Sequence, residues 1–439
     1  MTPPEAIDTL IEARWIVPVV PSGQVLEDHA IAVRDGRIVA VLPQSAARER
    51  YAPRDTVRLP HHAVIPGLVN LHTHAAMSLM RGLADDLPLM RWLNEHIWPA
   101  EAKHVAPDFV YDGTLLAAAE MLAGGVTCAS DMYFYPDAAA RAFLDAGMRA
   151  ALGLIAVDFP TRYAADADDY LAKGLALRDG LAGTKRLSFC MAPHAPYTVG
   201  DRTFERIATL AEELDLPIHL HLHETHDEIE KSVAEHGARP IARLRTLGLL
   251  GPRLIAVHAV HLNEVEIGLL AQHGCSVAHC PSSNLKLASG FAPVAALVEH
   301  GVNVGIGTDG AASNNRLDVL TELRTAALLA KAVAGRADAL PAASALEAAT
   351  LGGARALGLD REIGSIEPGK AADLAAVSFA RIELAPCYDV VSHLVYAAAR
   401  DDITHVWVEG EGVVAERRWL RLDTNHLESR ARLWQNVLA

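Results

Sequence analysis

From Val69 to Thr308 the sequence alternates eight times between short runs rich in β-branched or small residues and longer Ala- and Leu-rich stretches. The runs are Val69–His72, Val126–Asp131, Ala150–Val157, Leu187–Ala192, Ile218–His221, Leu254–His258, Ser276–His279 and Val302–Thr308. Helices are predicted between them, for example over Gly113–Ala123 and Phe204–Leu214. Alternation of this kind builds βα units on a parallel sheet, and eight units close a (β/α)8 barrel. In such a barrel the carboxyl ends of the strands meet at one face, so residues far apart in sequence become neighbours there.

The chain ends have a different texture. Residues 8–65 read as β-prone runs, Ile11–Val20, Ile31–Val33 and Arg37–Leu42, the last preceded by an Asp35-Gly36 turn signal. After a helix-like stretch through Leu357, turn residues between Gly364 and Lys370 lead to strand-like runs at Leu374–Ser378 and His405–Val408. With 439 residues the chain exceeds the ~100–200 of one ordinary domain. The predicted fold is α/β: a TIM-like barrel over residues 67–367, inserted in a small β-sandwich domain formed by residues 1–66 plus 368–439.

A formal charge of −15 and the lack of a basic patch argue against nucleic acid as a partner, because nothing replaces the counterions of a phosphate backbone. Ile11–Val20 is short, contains Glu12 and Arg14 and follows Glu5 and Asp8, so neither a secretory signal nor a membrane span is expected. The five cysteines are scattered without a C-x-x-C pair, which suggests no disulfide framework and no thiolate zinc site, and fits a reducing cytoplasm. The outlier is histidine, at 21 residues, several of them at the ends of the apolar runs.

His72-Thr73-His74 closes the first run, and its two-residue spacing turns both imidazoles to the same side of a strand. An H-x-H alone is weak evidence. Its weight comes from the company at other strand ends: His221 and Glu224 at the fifth, His258 at the sixth, and Asp309 after the eighth, a buried-type run where a lone carboxylate is costly. His72, His74, His221 and Asp309 are read as ligands of one divalent metal ion, while His219 and His223 are read as core histidines. Zinc is the first choice for nitrogen and carboxylate donors, and iron and manganese suit the same set.

These segments resemble the amidohydrolase superfamily, through Pro66-Gly67-Leu68-Val69-Asn70-Leu71-His72-Thr73-His74 and Gly307-Thr308-Asp309-Gly310-Ala311-Ala312-Ser313-Asn314. The likeness spans nearly the whole chain and includes the stretch from Gly364 to Asp373. Within the superfamily, His221-Leu222-His223-Glu224-Thr225, Ala192-Pro193-His194-Ala195-Pro196-Tyr197 and Pro281-Ser282-Ser283-Asn284-Leu285-Lys286-Leu287 are similar to the methylthioadenosine/S-adenosylhomocysteine deaminases.

The resemblance implies hydrolytic deamination of the adenine ring of a small purine nucleoside at a single metal ion. Relatives with two metals carry a modified lysine at the end of the fourth strand, where this chain has Ala192-Pro193-His194, and Lys185 lies at the other end. The P-C-x-x-C signature of the cytidine-deaminase type is absent. The implied roles give Asp309 the proton of the attacking water, Glu224 the protonation of the purine ring, and His258 the orientation of the nucleophile. His194 and Glu224 are expected to bind substrate, Trp92 to pack on the purine or its thioether, and His279 to support Asp309 or the nearby loop. Arg91 stands where some relatives carry a glutamate that holds the ribose, so sugar recognition has no assigned residue. Barrels of this sort often associate, which makes a homo-oligomer an expectation. Competing readings are a guanine or cytosine deaminase, a chlorotriazine hydrolase, or a non-catalytic barrel scaffold, against which the filled ligand positions speak.

Overall fold

The structure is a computed structural model and describes residues 3–438. Strands β1 (Glu5–Ile16), β2 (Leu26–Arg34), β3 (Arg37–Pro43) and β4 (Tyr51–Pro66) precede the barrel. Its strands are β5 (Leu68–Thr73), β6 (Val126–Asp131), β7 (Arg149–Ala156), β8 (Leu187–Pro193), β9 (Ile218–Leu222), β10 (Leu254–His258), β11 (Ser276–His279) and β12 (Asn303–Ile306). Strands β13 (Leu374–Ser378), β14 (Ile403–Val408), β15 (Glu411–Ala415) and β16 (Arg418–Trp419) follow it. All eight barrel runs expected from the sequence are strands, paired in parallel in chain order from β5 to β12. Every residue of β5, β6, β9, β10 and β11 is buried, as strands filled on the inside and covered by helices outside must be.

Where β12 meets β5, polar bonds join the two strands. The Asn70 amide donates to Thr308 Oγ1 at 2.8 Å and accepts the Thr308 N–H at 2.9 Å, and the His72 carbonyl accepts the N–H groups of Thr308 (3.1 Å) and Asp309 (2.9 Å). Gly307 makes this approach possible, since a Cβ there would sit 2.9 Å from that of His72. The glycine-rich run before Asp309 therefore does more than form a buried strand: it brings Asp309 alongside His72.

The two chain ends meet in one continuous sheet, in the order β16-β15-β14-β13-β4-β1-β2-β3, antiparallel except where β1 pairs with β4. Its central strands show the period-2 pattern of a sheet with two apolar faces. Ala63, Ile65, Ala375, Val377 and Val406 join the core of the barrel, while Val64, Leu374, Ala376 and Trp407 pack with Ile11, Ile31 and Ile38 on the other side.

Beyond residue 368 the sequence shows only β character to the eye, whereas the structure has helices at Val390–Tyr396 and Thr424–Leu438 as well. The last helix lies against the barrel helix Pro107–Ala123. Trp434 meets Phe109 edge to face at 5.2 Å, and Asp112 accepts from Arg430 (2.6 Å) and the Trp434 indole (2.7 Å). Its burial rests on few residues, Leu427 among them, so it lacks the strong apolar period that reveals a helix in sequence. Among the described residues no helix is long and apolar enough to cross a membrane.

Candidate active site

The carboxyl ends of the barrel strands surround a cavity of about 290 Å³. At its floor one donor atom from each of His72, His74, His221 and Asp309 lies within 4.8 Å of the others. His72 Nε2 is 3.2 Å from His221 Nε2 and 3.3 Å from Asp309 Oδ1, and His74 Nε2 is 3.3 Å from the same oxygen. The outward nitrogens are held from behind. His74 Nδ1–H donates to the Met132 carbonyl (2.5 Å), and His221 Nδ1–H donates to the His194 carbonyl (2.7 Å). A carbonyl only accepts, so both Nε2 atoms point bare lone pairs at the centre.

Burial lowers the basicity of His72 and His221, pulling the first down to about 4 and the second well below the usual imidazole range. Burial also opposes a charge on Asp309, but hydrogen bonding to His72 and the nearby imidazoles outweigh it and hold the carboxyl well below its usual range. Asp309 Oδ2 is saturated by the hydroxyls of Ser283 (2.6 Å) and Ser313 (2.7 Å), while Oδ1, with the Gly310 N–H at 2.7 Å, faces the imidazoles. Three neutral imidazoles and one carboxylate converging at such distances repel unless a cation sits between them, and the donor set fits a zinc-type ion. No lysine shares the place: β8 ends at Pro193, and Lys185 lines a cleft at the opposite end with Arg186 and Glu409.

Glu224, Asp309 and His258 line the same cavity. His258 Nε2 stands 3.8 Å from a Glu224 oxygen, and its Nδ1–H donates to Asn284 Oδ1 at 2.8 Å, the tautomer in which a neutral ring carries its lone pair on Nε2. Burial raises the Glu224 carboxyl above its usual range, and the charge of Asp309 adds to this while His258 opposes it. The backbone is left-handed at His223 (φ 56°), His258 (φ 71°) and Asp309 (φ 62°). Non-glycine residues adopt that conformation at a cost, and here it turns the chain sharply at three strand ends.

His194 and Trp92 also border the cavity, Trp92 being 5% exposed. Burial takes His194 down to about 3, so it stays neutral, with Nδ1 at 3.1 Å from Thr198 Oγ1. Of the other large residues in the segment after the first strand, Met77 and Trp98 line the cavity and Met80 is in the core. His223 points away, donating from Nδ1 to the His261 carbonyl (3.1 Å) and accepting the Ile241 N–H at Nε2 (3.1 Å). His279 has no bond to Asp309 through its ring; both ring nitrogens are buried without a hydrogen-bond partner, and the residue lines a small separate cavity with Asn284 and Phe291. The expected support of Asp309 falls instead to Ser283 and Ser313. Arg91 is exposed and pairs with Glu95 at 3.0 Å, outside the cavity.

Three acidic residues that sequence reasoning passed over shape the site. Glu101 lines the cavity and accepts from Tyr133 OH at 2.7 Å, with burial raising its carboxyl to about 7. Asp131, at the end of β6, accepts the Ala75 N–H at 2.7 Å and so fastens the turn after His74. Glu228 accepts the N–H groups of His223 and Glu224, each at 2.8 Å, and clamps the loop that carries Glu224. The only trace of Glu228 in the sequence is Thr225-x-x-Glu228, a helix-capping pattern.

Residues 63–413 match the amidohydrolase family. The chain belongs to that family. A 5-methylthioadenosine/S-adenosylhomocysteine deaminase of Saccharophagus degradans is 50% identical over 435 residues, covering 99% of this chain and 98% of the relative. A crystal structure of an adenosine deaminase from Xanthomonas campestris with bound zinc superposes with a TM-score of 0.98 at 54% identity, covering 99% of each chain. Atrazine chlorohydrolase from Arthrobacter aurescens TC1, complexed with zinc, gives a TM-score of 0.89 at 25% identity over 97% of this chain and 99% of its own. The fold is thus shared by proteins named for different reactions, and the higher identity lies with those named as adenosine-type deaminases.

Proposed function

We propose that this amidohydrolase removes the 6-amino group of methylthioadenosine, S-adenosylhomocysteine or adenosine by hydrolysis, giving the inosine analogue and ammonia. The observation that carries the reading is the convergence of three lone-pair imidazoles, an ionised Asp309 and a Glu224 of raised pKa at the floor of one aromatic-walled cavity. The relative named for this activity at 50% identity supplies the substrate class.

His72, His74, His221 and Asp309 are the residues that hold the metal, for which zinc has the support of the adenosine deaminase structure. A bound divalent ion makes water available as a nucleophile near neutral pH by lowering its pKa to about 7. Asp309, whose carboxyl is held well below its usual range, takes a proton from the attacking water. Glu224, whose hold on its proton is strengthened by burial, gives that proton to the ring nitrogen beside the attacked carbon. His258, locked by Asn284 with Nε2 unprotonated, accepts from the water and orients it. The C–N bond then breaks, the proton on Asp309 leaves with the amine as ammonia, and the hydroxyl proton returns to Glu224 as the carbonyl forms. Trp92 and His194 border the space for the purine, and Glu101 offers an acceptor for sugar hydroxyls.

Five unpaired cysteines, four of them buried, support a reducing compartment such as the cytoplasm. A scaffold protein would have no use for four crowded donors, three of them buried, that only a cation reconciles. Ammonia release over a panel of adenosine derivatives, guanine, cytosine and chlorotriazines tests the assignment. Turnover of methylthioadenosine, S-adenosylhomocysteine or adenosine is expected, and turnover of guanine or a triazine with none of the adenosine compounds would overturn it.

A further inference from the structure

Each of the three imidazoles at the metal position needs its Nδ1 protonated, so that Nε2 is free to bind. His74 and His221 meet this need with backbone carbonyls, which no side-chain substitution removes. His72 has no such carbonyl. Its Nδ1 lies 3.0 Å from Nε2 of His219, one residue pair earlier on β9, and His219 Nδ1 lies 3.2 Å from Ser130 Oγ on β6. His72 and His219 are both 0% exposed, and their rings meet edge to face at 4.9 Å.

Only one arrangement of protons serves both contacts and the metal. His72 Nδ1–H must donate, so His219 Nε2 must accept, and a neutral His219 then carries its proton on Nδ1 and donates it to the serine oxygen. We infer that His219, held by Ser130, is a positioning residue that fixes the tautomer and plane of His72, and thereby how tightly the metal is kept. This assigns to His219 a duty beyond that of a core histidine and rests on the reading of His72 as a ligand. A partner behind a ligating histidine raises its basicity and orients its ring, and losing one commonly costs about 10- to 100-fold in metal affinity.

The test follows zinc transfer from the fully loaded protein to a chromogenic chelator, with far-UV circular dichroism to confirm folding and the visible spectrum of the cobalt-substituted protein to read ligand geometry. Release about 10- to 100-fold faster and an altered cobalt spectrum are expected for His219→Leu, which fills the space but accepts nothing. His219→Gln, whose amide accepts on one side and donates on the other, is expected to restore most of the retention. Ser130→Ala, which leaves the imidazole in place but frees its tautomer, is expected to fall between. Wild-type release and an unchanged spectrum in a folded His219→Leu protein would overturn the inference, as would a glutamine variant as leaky as the leucine one. If the leucine variant does not fold, Ser130→Ala decides, and release at the wild-type rate overturns it. Failure of the ligand reading itself is distinguishable, because wild-type protein would then not hold one zinc and His72→Ala would not change zinc content.

Discussion

The two ends of the barrel are both rich in buried polar and charged groups, yet they are arranged on opposite principles. At the amino end, Arg149 at the start of β7 meets Asp373 at 3.1 Å, and Arg186 before β8 meets Glu409 (3.2 Å) and Glu411 (2.7 Å), joining the barrel to the terminal sheet. Every guanidinium there faces a carboxylate. At the carboxyl end, donors of one kind are crowded together with their lone pairs aimed at a common point. The first end is electrostatically complete in the protein alone; the second is completed only by a cation. The lesson is that convergence of like groups, rather than burial or charge as such, marks the reactive end of the barrel.

The largest effect that would break this contrast is metal removal. Prolonged chelation is expected to abolish ammonia release, and one equivalent of zinc to restore it. The melting temperature should fall with the metal and recover with it, because a ligand of the folded state alone stabilises that state. A fully active, metal-free protein in a combined activity and metal assay would show the carboxyl end to be as self-sufficient as the amino end.

Next in size is Glu224→Gln. If the carboxylate transfers a proton to the substrate, kcat falls by roughly 10²- to 10⁴-fold while zinc content stays at that of the wild type. The amide removes a buried acid, so the melting temperature is expected to hold or rise. Near-full turnover with metal bound would take Glu224 out of the chemistry.

The opposite profile is expected at the amino end. Arg149→Met leaves Asp373 without its partner in a site where the arginine side chain is 11% and the aspartate 1% exposed. Breaking such a pair costs about 3–5 kcal/mol in denaturant unfolding, yet the folded protein should keep its kcat. A large loss of kcat in folded Arg149→Met would erase the division of labour between the two ends.

The reactive end was far more legible in the sequence than its supports. The eight strands and the donors at their ends can be read because strand periodicity and residue type together decide where an imidazole points; the H-x-H and the glycine-rich run before Asp309 are such signals. Glu101 and Asp131 left almost none, because their roles depend on contacts across separate βα units, Glu101 with Tyr133 and Asp131 with Ala75, whereas Glu228 acts locally on His223 and Glu224 and shows only as a capping pattern. The same holds for His219, which sequence reading places in the core and the structure places behind His72. That Arg91 left sugar recognition without an assigned residue has a similar source. The chain between Leu89 and His104 passes through a π-type turn at Leu93–Ile97, which changes the face each later residue presents and brings Glu101 inward.

Glu101 is also the smallest and sharpest probe of the comparison, being an acid on the cavity wall whose carboxyl is paired with a tyrosine hydroxyl. Burial lifts its carboxyl to about 7 from the ordinary 4.5, against the hydrogen bond from Tyr133. Below pH 7 it is mostly protonated, and above it becomes a charged acceptor for sugar hydroxyls. The kcat/KM for a nucleoside should therefore rise as pH increases through about 7, and Glu101→Gln should lose that rise, leaving a gap of about tenfold at alkaline pH, the worth of one charge-assisted hydrogen bond. A 2′,3′-dideoxy substrate should show no such gap. Stability moves the other way: with a folded value above the unfolded one, the protonated acid's contribution is complete below 4.5 and is lost as pH rises through about 7. Because the amide cannot ionise, the melting temperature of Glu101→Gln should gain on the wild type between pH 5 and pH 8. Parallel melting curves across that range would mean that Glu101 is already ionised in the fold, and that the cavity wall is compensated in the manner of the barrel's amino end.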